Sequence, residues 1–120
     1  MVFGTFDNLH PGHLSYFSQA RRFGEELFVI VARDKNVVRQ KGRLPLEDEK
    51  ARLRNVRLAL GLAGGRAMLG NIRDQYSVIR RLRPDFIALG YDQKVDMKQL
   101  KSEIAESRLF CKIRRLKPYQ

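Results

Sequence analysis

The chain has 120 residues, of which 43% are hydrophobic, and its 24 Lys and Arg against 13 Asp and Glu give a formal net charge of +11. This length and composition predict one domain with its own core, and the lack of a membrane-length apolar run or a signal-peptide pattern favours a soluble, cytoplasmic protein without membrane contact. The positive charge predicts an anionic partner, either a nucleic acid or a nucleotide phosphate. The alternative is that the charged residues only keep the surface of a heat-adapted protein solvated.

The first half of the chain alternates strand and helix patterns. We predict the end of a strand at residues 1–3, a helix over 14–23, a buried strand at 27–32, a charged loop at 34–45 and a helix at 47–60. Gly24 ends the first of these helices, and three glycines at 61, 64 and 65 end the second.

The second half repeats the alternation, with a strand at 67–69, a helix over 72–82, a buried strand at 86–89, a helix over 97–104 and a last strand at 109–113. This order is typical of an α/β fold, a five-stranded parallel sheet with helices on both faces. The single cysteine, Cys111, cannot form an internal disulfide and is interpreted as a core thiol. We expect one domain over 1–120 with a few residues missing at each end, since the first strand is short for a central one.

The only two histidines, His10 and His13, lie at the predicted turn from the first strand into the first helix. Pro11 suits the first helical turn because it has no N–H to leave unpaired, and Gly4 and Gly12 leave space for a ligand near the backbone. A helix start offers free N–H groups and a positive dipole end to an anion. Two imidazoles there donate hydrogen bonds or charge to phosphate oxygens, as a phosphoryl-transfer transition state requires.

Two other interpretations of the histidine pair stay open. Closely spaced histidines also bind zinc, but no cysteine is near and Asp7 is the only carboxylate close in sequence, so we expect no metal held by the protein itself. Chance placement explains an isolated H-x-x-H pattern, and it explains less well the segment GTFD followed by HPGH at a strand-to-helix turn.

The segment GTFDNLHPGHLSYF closely resembles the GxFDxxHxGH signature of the HxGH nucleotidyltransferase superfamily, which includes cytidylyltransferases, pantetheine-phosphate adenylyltransferase and class I aminoacyl-tRNA synthetase cores. VARDKNVVRQKGRLPLEDEKARL resembles the second-strand loop and following helix of the glycerol-3-phosphate cytidylyltransferase-like branch. DFIALGYDQ resembles the fourth-strand nucleotide loop of archaeal FAD synthetases within that branch. The similarity covers nearly the whole chain and implies a Rossmann-like fold.

The resemblance implies transfer of a nucleoside monophosphate from a nucleoside triphosphate to a phosphorylated acceptor, with pyrophosphate release and no covalent enzyme intermediate. The two histidines would stabilise the α-phosphate, Thr5 and Phe6 would contact the nucleotide, and Asp92 would bind the nucleoside, with Gly90 giving it space. Mg²⁺ or another divalent cation would bind through the triphosphate. The implied nucleotide-binding residues are Gly4, Thr5, Phe6, His10, Pro11, Gly12, His13, Arg52, Asp92 and Tyr119.

Five basic residues and one acid crowd the segment after the second strand: Arg33, Asp34, Lys35, Arg39, Lys41 and Arg43. By itself such a segment is usually a solvated charged arm. Its place over the same sheet edge as the histidines favours a mobile lysine that closes on phosphates. The resemblance assigns this catalytic role to Lys41 of KGR. It also matches Arg52 to a helix arginine that reaches the phosphates, although other basic residues crowd the same helix.

The end of the chain bears on the choice of substrate. Cytidylyltransferases of the branch usually carry an RTEGISTT-like segment that this chain lacks, and RRLKPYQ loosely resembles the basic, tyrosine-containing end of archaeal FAD synthetases. Together with LGYDQ, this favours ATP and FMN as substrates, with Tyr119 contacting the nucleotide. The alternative is CTP with glycerol 3-phosphate or a related polyol phosphate. A nucleic-acid-binding module is favoured less, because the basic residues lack an aromatic stacking pattern. The resemblance also implies a homodimer.

Overall fold

A single parallel sheet organises the computed structural model, which describes residues 1–61 and 64–119. Its strands are β1 (Val2–Gly4), β2 (Leu27–Val31), β3 (Gly65–Leu69), β4 (Phe86–Leu89) and β5 (Lys112–Arg115). They lie in the order β3-β2-β1-β4-β5, and every neighbouring pair is parallel. The predicted α/β class and five-stranded parallel sheet are confirmed.

The connecting helices are α1 (Pro11–Arg21), α2 (Asp34–Lys41), α3 (Glu49–Leu60), α4 (Ser77–Leu82) and α5 (Met97–Glu106). Successive strand residues face opposite sides of a sheet. Val29 and Val31 accordingly share a core with Phe17 of α1 and Val56 of α3, whereas Ile30 belongs to the core beneath α4 and α5. The two faces of the sheet are therefore both covered by helices, as predicted.

The prediction of a loop over residues 34–45 is wrong at α2. Val37 is the one buried residue of this helix. The sequence of α2 therefore lacks the repeat of buried apolar residues that predicts a helix. The ends of α2 carry other signals, with Asp34 in the first turn and Lys41 in the last. Gly42 follows with φ of +76°, and its N–H donates to the Val38 carbonyl at 2.8 Å. Capping and charge thus define α2, and they place Lys41 at its C-terminal end.

Polar side chains move the starts of two other helices. α3 begins two residues later than predicted, because the Asp48 carboxylate accepts a hydrogen bond from the Ala51 N–H at 2.8 Å and caps the helix there. α4 begins at Ser77, not at residue 72. The Asn71 side chain accepts hydrogen bonds from the N–H groups of residues 73 and 74 and forms a turn that delays the helix.

Two strand boundaries also differ from the prediction. β3 begins two residues early, at Gly65. β5 begins three residues late, because the Leu109 N–H still bonds to the Ile104 carbonyl at the end of α5, and Phe110 is 98% exposed. Cys111, interpreted from sequence as a core thiol, is half-buried and packs against the edge of the core under α4 and α5.

The strand order reverses next to β1. From β1 the chain moves through β2 to β3 on one side, and it then returns through α4 to β4 on the other side of β1. Open α/β sheets bind ligands at such a switch point, outside the carboxyl ends of the strands. The loops that follow β1, β2 and β4 lie on that edge and carry the predicted site residues.

Candidate active site

The turn after β1 is fixed by the loop that precedes α3. Phe6 and Asn8 have left-handed backbone conformations, with φ of +54° and +50°, which non-glycine residues adopt at an energetic cost. The Asp7 carboxylate between them accepts hydrogen bonds from the N–H groups of Leu46 at 2.7 Å and Glu47 at 3.0 Å. The Asn8 N–H donates to Oε1 of Glu47 at 2.7 Å. Both Asp7 oxygens thus hold the backbone of the loop before α3.

His10 and His13 form a reciprocal cap at the start of α1. Nδ1 of His10 accepts a hydrogen bond from the Gly12 N–H at 3.1 Å, and Nδ1 of His13 accepts one from the His10 N–H at 3.3 Å. The rings stack with centroids 3.9 Å apart and 24° between their planes. A neutral imidazole whose Nδ1 accepts carries its proton on Nε2. The cap therefore makes both side chains Nε2–H donors.

Throughout the first turn of α1, which the structure describes completely, the backbone N–H groups are already engaged. Pro11 has none, Gly12 donates to the His10 ring, and His13 and Leu14 donate to the His10 carbonyl at 2.9 Å and 3.3 Å. The expectation of free N–H groups at this helix start is therefore wrong, because His10 caps the helix with both its side chain and its carbonyl. The donors available to an anion are the imidazoles, and the helix dipole adds to them.

The space at Gly4 and Gly12 is filled by the protein's own rings. A Cβ at Gly12 would lie 2.8 Å from Cε1 of His10, and a Cβ at Gly4 would lie 2.7 Å from Cζ of Phe6. Real Cβ atoms do not approach other atoms so closely. The expectation that these glycines leave space for a ligand is corrected. Gly12 lets the His10 imidazole fold back over the helix start, and Gly4 accommodates the Phe6 ring.

His13 gives the protein a pH dependence that can be measured. Burial, together with the neighbouring His10, holds the pKa of His13 below its ordinary value, against an opposing effect of Asp7. The unfolded chain then binds this proton more readily than the folded protein does. We expect the free energy of unfolding to fall as the pH drops below about 6.5, by at most about 1.4 kcal/mol per pH unit from this group.

Urea unfolding between about pH 7 and pH 5, above the range in which ordinary carboxylates titrate, measures that slope. His13→Asn serves as the control, because its Oδ1 keeps an acceptor near the His10 N–H but does not titrate. The variant should lose the part of the slope that His13 supplies. An unchanged slope in His13→Asn would assign the pH dependence to another group.

Lys41 reaches the turn after β1 from the end of α2. Its Nζ donates a hydrogen bond to Oγ1 of Thr5 at 3.1 Å, and its side chain is exposed. Of the predicted site residues, the structure thus brings Lys41 and Thr5 into direct contact at the same turn that leads into the histidine cap. Because that turn is only five residues from Thr5 to His10, the ammonium group and the imidazoles share one edge of the sheet.

The side chain of Phe6 is buried in the core beneath the histidine cap. Its side chain is 4% exposed. Its ring packs edge-on against His13 with centroids 5.6 Å apart, and at a tilt of 56° against Phe17 with centroids 5.1 Å apart. A ring buried in this way supports the His13 imidazole from the core. Contact of Phe6 with a nucleotide stays a prediction.

Arg52 is completely buried, with 0% exposure, and its guanidinium is engaged by the protein. It donates to the Glu47 carbonyl at 3.0 Å, to the Thr5 carbonyl at 2.7 Å and to Oδ1 of Asp34 at 2.6 Å. These bonds join the turn after β1, the start of α2 and the start of α3. The structure gives Arg52 the position of a scaffold for Thr5, and direct contact with a nucleotide phosphate stays a prediction.

The remaining predicted residues lie at the carboxyl end of β4 and at the chain's last described residues. Asp92 is exposed in the turn after β4. A Cβ at Gly90 would meet its neighbours no closer than 3.6 Å, so Gly90 is not sterically required there. Tyr119 is 59% exposed, and its Cβ would lie 4.0 Å from a Cβ on Gly12, at the start of α1. Their contacts with a nucleotide stay predictions.

Sequence reasoning missed several residues that build this edge. Glu47 accepts hydrogen bonds from Asn8 and from the Asn55 side chain, and Gln93 and Tyr16 connect β1 with β4. Glu47 stands in the acidic run LEDE before α3, a pattern that signals only a helix start. Gln93 directly follows Asp92 in the GYDQ segment, so the motif itself was the signal that could have identified it.

A basic cavity of about 440 Å³ opens at the carboxyl ends of β2 and β3. Its walls include the arginines at 33, 73 and 81, together with Asn71 and Ser77. Gly4, Val31 and Leu69 are successive partners across β1, β2 and β3, and neighbouring strands lie about 4.8 Å apart. The cavity therefore begins within two strand spacings of the histidine turn, on the side away from β4.

Residues 1–61 and 64–119 contain no group of three or more His, Cys, Asp and Glu side chains arranged to hold a metal ion. Within the same ranges, no helix combines the length and the apolar character needed to cross a membrane.

Comparison with known proteins gives consistent matches. A family model described as "Cytidylyltransferase-like" matches residues 1–120. A FAD synthase from Methanosarcina barkeri is 45% identical over 113 residues, which cover 94% of this chain and 78% of that protein. A FAD synthase from Methanothermobacter thermautotrophicus is 40% identical over 123 residues, which cover 100% of this chain and 80% of that protein.

A solved structure, the lipopolysaccharide core biosynthesis protein from Thermoplasma volcanium, superimposes with a TM-score of 0.88 at 38% identity. The match covers 100% of this chain and 96% of that one. The sheet and helices described above are thus a fold that has been observed in an experimental structure of comparable length.

Proposed function

This chain belongs to the cytidylyltransferase-like family and is a nucleotidyltransferase, and we propose that it transfers AMP from ATP to FMN. An oxygen of the FMN phosphate attacks the α-phosphorus of ATP, the bond from that phosphorus to the bridging oxygen of the β-phosphate breaks, and FAD and pyrophosphate are the products. The choice of substrates is supported by relatives named FAD synthase that are 40–45% identical over most of this chain.

The observation that carries the site assignment is the reciprocal histidine cap. Two Nε2–H donors held side by side suit the non-bridging oxygens of one phosphate, on which negative charge accumulates during transfer. Because the cap fixes the ring orientations before any ligand binds, little reorganisation accompanies the reaction. In this proposal His10 and His13 are the catalytic donors to the α-phosphate.

Lys41 is the third catalytic group in the proposal. A side chain that already reaches Thr5 from an exposed position is suited to follow the phosphates of either substrate. We expect Lys41→Met to lower kcat/KM on the order of tenfold, since a partly solvated ammonium contributes less than an enclosed donor. Initial rates of pyrophosphate release measure the effect.

Lys35→Met is the matched control for Lys41, because it removes the same charge from an exposed position at the other end of α2. It should leave kcat/KM within about twofold of the unsubstituted protein. Equal losses in the two variants would attribute the effect to the overall positive field of the helix rather than to a contact of Lys41.

We propose that Mg²⁺ or another divalent cation binds with the triphosphate. When bound, it would neutralise negative charge on the pyrophosphate leaving group. Both Asp7 oxygens are engaged by backbone N–H groups, which supports a cation that arrives with the nucleotide rather than one held by this carboxylate. The substrate matrix described below compares the rates with Mg²⁺, Mn²⁺ and Co²⁺.

The acceptor is proposed to occupy the side of the histidines away from β4. The basic cavity at the ends of β2 and β3 has room for a large phosphorylated acceptor, and its arginines at 73 and 81 are donors that suit the carbonyl groups of a flavin. The nucleoside then lies on the β4 side, next to Asp92. The acceptor phosphate and the α-phosphate would meet between these two sides, at the end of β1.

A substrate matrix tests the proposal. ATP and CTP are each incubated with FMN, glycerol 3-phosphate and other polyol phosphates in the presence of each metal, and both pyrophosphate and the nucleotide product are measured. FAD formation with ATP and FMN is the expected result, and formation of CDP-glycerol in place of FAD would favour the CTP-dependent alternative. Retention on nucleic acid at moderate salt without turnover of any triphosphate would contradict an enzymatic role.

Two further expectations have their own measurements. Light scattering in solution tests the expected homodimer, and cell fractionation tests the expected cytoplasmic location.

A further inference from the structure

The sheet opens between β1 and β4 towards its carboxyl edge. These strands pair at one position, Val2 with Ala88. Beyond that point β1 stays paired with β2 as far as Gly4, and β4 stays paired with β5 as far as Leu89. The two halves of the sheet therefore separate where the loops of the active site begin, and a crevice forms between them.

The side-chain amide of Gln93 spans this crevice. Its Nε2 donates a hydrogen bond to the Phe3 carbonyl on the β1 side at 3.0 Å, and its Oε1 accepts one from the Gly90 N–H on the β4 side at 3.0 Å. The orientation of the amide follows from its partners, because a carbonyl requires a donor and an N–H requires an acceptor. One half-buried side chain thus joins the two backbones.

Tyr16 extends the connection to α1. Its hydroxyl lies 3.1 Å from Oε1 of Gln93 and donates to the Ala88 carbonyl at 2.9 Å. Burial raises the pKa of Tyr16, so this hydroxyl stays protonated at neutral pH. Tyr16 lies three residues after His13, about one helical turn away. The crevice and the histidine cap are therefore attached to the same helix.

Arg115 of β5 holds the other side of the loop. It donates to the Gly90 carbonyl at 2.8 Å and to the Gln93 carbonyl at 2.6 Å. The backbone of residues 90–93 is thus bound by Arg115 on one side and tied to β1 by the Gln93 side chain on the other. Neither connection is easily stretched, since hydrogen bonds weaken steeply outside a narrow range of distance and angle.

We propose that Gln93 is a positioning residue that sets the width of the crevice between β1 and β4, and through it the preference of the site for one nucleobase over another. The inference rests on the proposed function in one respect, that the nucleoside lies on the β4 side next to Asp92. A crevice whose width matches adenine packs against both sides of that base and leaves unfilled space beside the smaller cytosine, so a relaxed width weakens ATP binding more than CTP binding.

Gln93→Glu tests the proposal with a side chain of almost identical shape. The carboxylate still accepts from the Gly90 N–H, but it places an oxygen against the Phe3 carbonyl and so repels β1. We expect the ratio of kcat/KM for ATP to that for CTP to fall about tenfold, with KM for ATP raised, kcat changed by less than about threefold and KM for FMN within about twofold. A loss of folded protein alone would instead lower the rates with both nucleotides equally.

Binding measurements separate this proposal from the proposed reaction. Calorimetric Kd values for ATP and CTP, measured without FMN, should converge in Gln93→Glu whether or not FAD is the product of the unsubstituted protein. Gln99→Glu, which makes the same charge change at an exposed position on α5, should leave both values unchanged. Arg115→Met, an exposed substitution that releases the loop from β5, should shift selectivity in the same direction. If Arg115→Met and correctly folded Gln93→Glu both keep the nucleotide preference of the unsubstituted protein, the assignment is overturned.

Discussion

Replacement of His13 by Asn is expected to lower kcat for FAD formation about a hundredfold or more, with the Kd for ATP changed by less than about fivefold. The Asn Oδ1 takes the place of Nδ1 as the acceptor for the His10 N–H, so the cap of α1 persists. What disappears is the donor at Nε2. If that donor acts on the α-phosphate as charge develops there, its loss is felt in the transition state far more than in the ground state.

His13→Gln is the complementary variant. The Gln amide nitrogen lies near the position of the imidazole Nε2 and restores a donor, but the side chain has no acceptor at the Nδ1 position for the cap. His13→Gln should therefore retain more activity than His13→Asn and should be the less stable of the two to urea. If the less stable variant, His13→Gln, is also the less active one, His13 acts by holding the turn. The proposed catalytic contact of His13 with phosphate would then be wrong. Single-turnover measurements keep product release out of the comparison.

The fold was predictable to the extent that burial leaves a repeat in the sequence. The run LFVIVA at residues 27–32 is apolar at every position because helices cover both faces of β2, and such runs indicate a central parallel strand. α2 left no comparable repeat. Val37 alone is buried, and the helix is held by Gly42 and by contacts of Asp34 with residues of α3. Contacts distant in sequence leave no local pattern to recognise.

The site divides in the same way. The segment from Gly4 to His13 identified the position of the histidines, but the tautomer of each ring depends on which backbone N–H it faces, and side-chain rotamers decide that. Arg52 did carry a local signal. It stands four residues before Val56 and eight before Leu60, and these three residues are the buried ones of α3. The spacing did not single out Arg52, however, because Arg57 also stands four residues after Leu53 and three before Leu60 and is exposed.

That inward position leads to the second large effect. Arg52→Met is expected to lower the free energy of unfolding by about 3 kcal/mol, near the lower end of the range for breaking a buried ion pair. We expect the lower end because the ion pair is only partly buried. The Asp34 side chain is 26% exposed, whereas the Arg52 side chain is 0% exposed. Urea unfolding curves at neutral pH measure the change, with the transition midpoint expected to move at an unchanged slope.

The substitution leaves three acceptors without their donor, the carbonyls of Thr5 and Glu47 and the carboxylate of Asp34. Arg52→Lys restores the charge but not the planar fork that reaches all three, so it should recover only part of the stability. Arg54→Met is the matched control, since Arg54 is exposed on the same helix, and it should change the free energy of unfolding by less than about 0.5 kcal/mol.

These variants also separate the two roles considered for Arg52. If it is a scaffold, the turn that carries Thr5 loosens together with the contact that Thr5 makes to Lys41, and kcat falls in proportion to the disorder of that turn while KM for ATP moves little. If Arg52 instead binds the triphosphate, stability is nearly unchanged and KM for ATP rises by about tenfold or more. Full burial and three hydrogen bonds to protein acceptors favour the first outcome, because a phosphate contact would require the guanidinium to abandon an ion pair that α2 and α3 share.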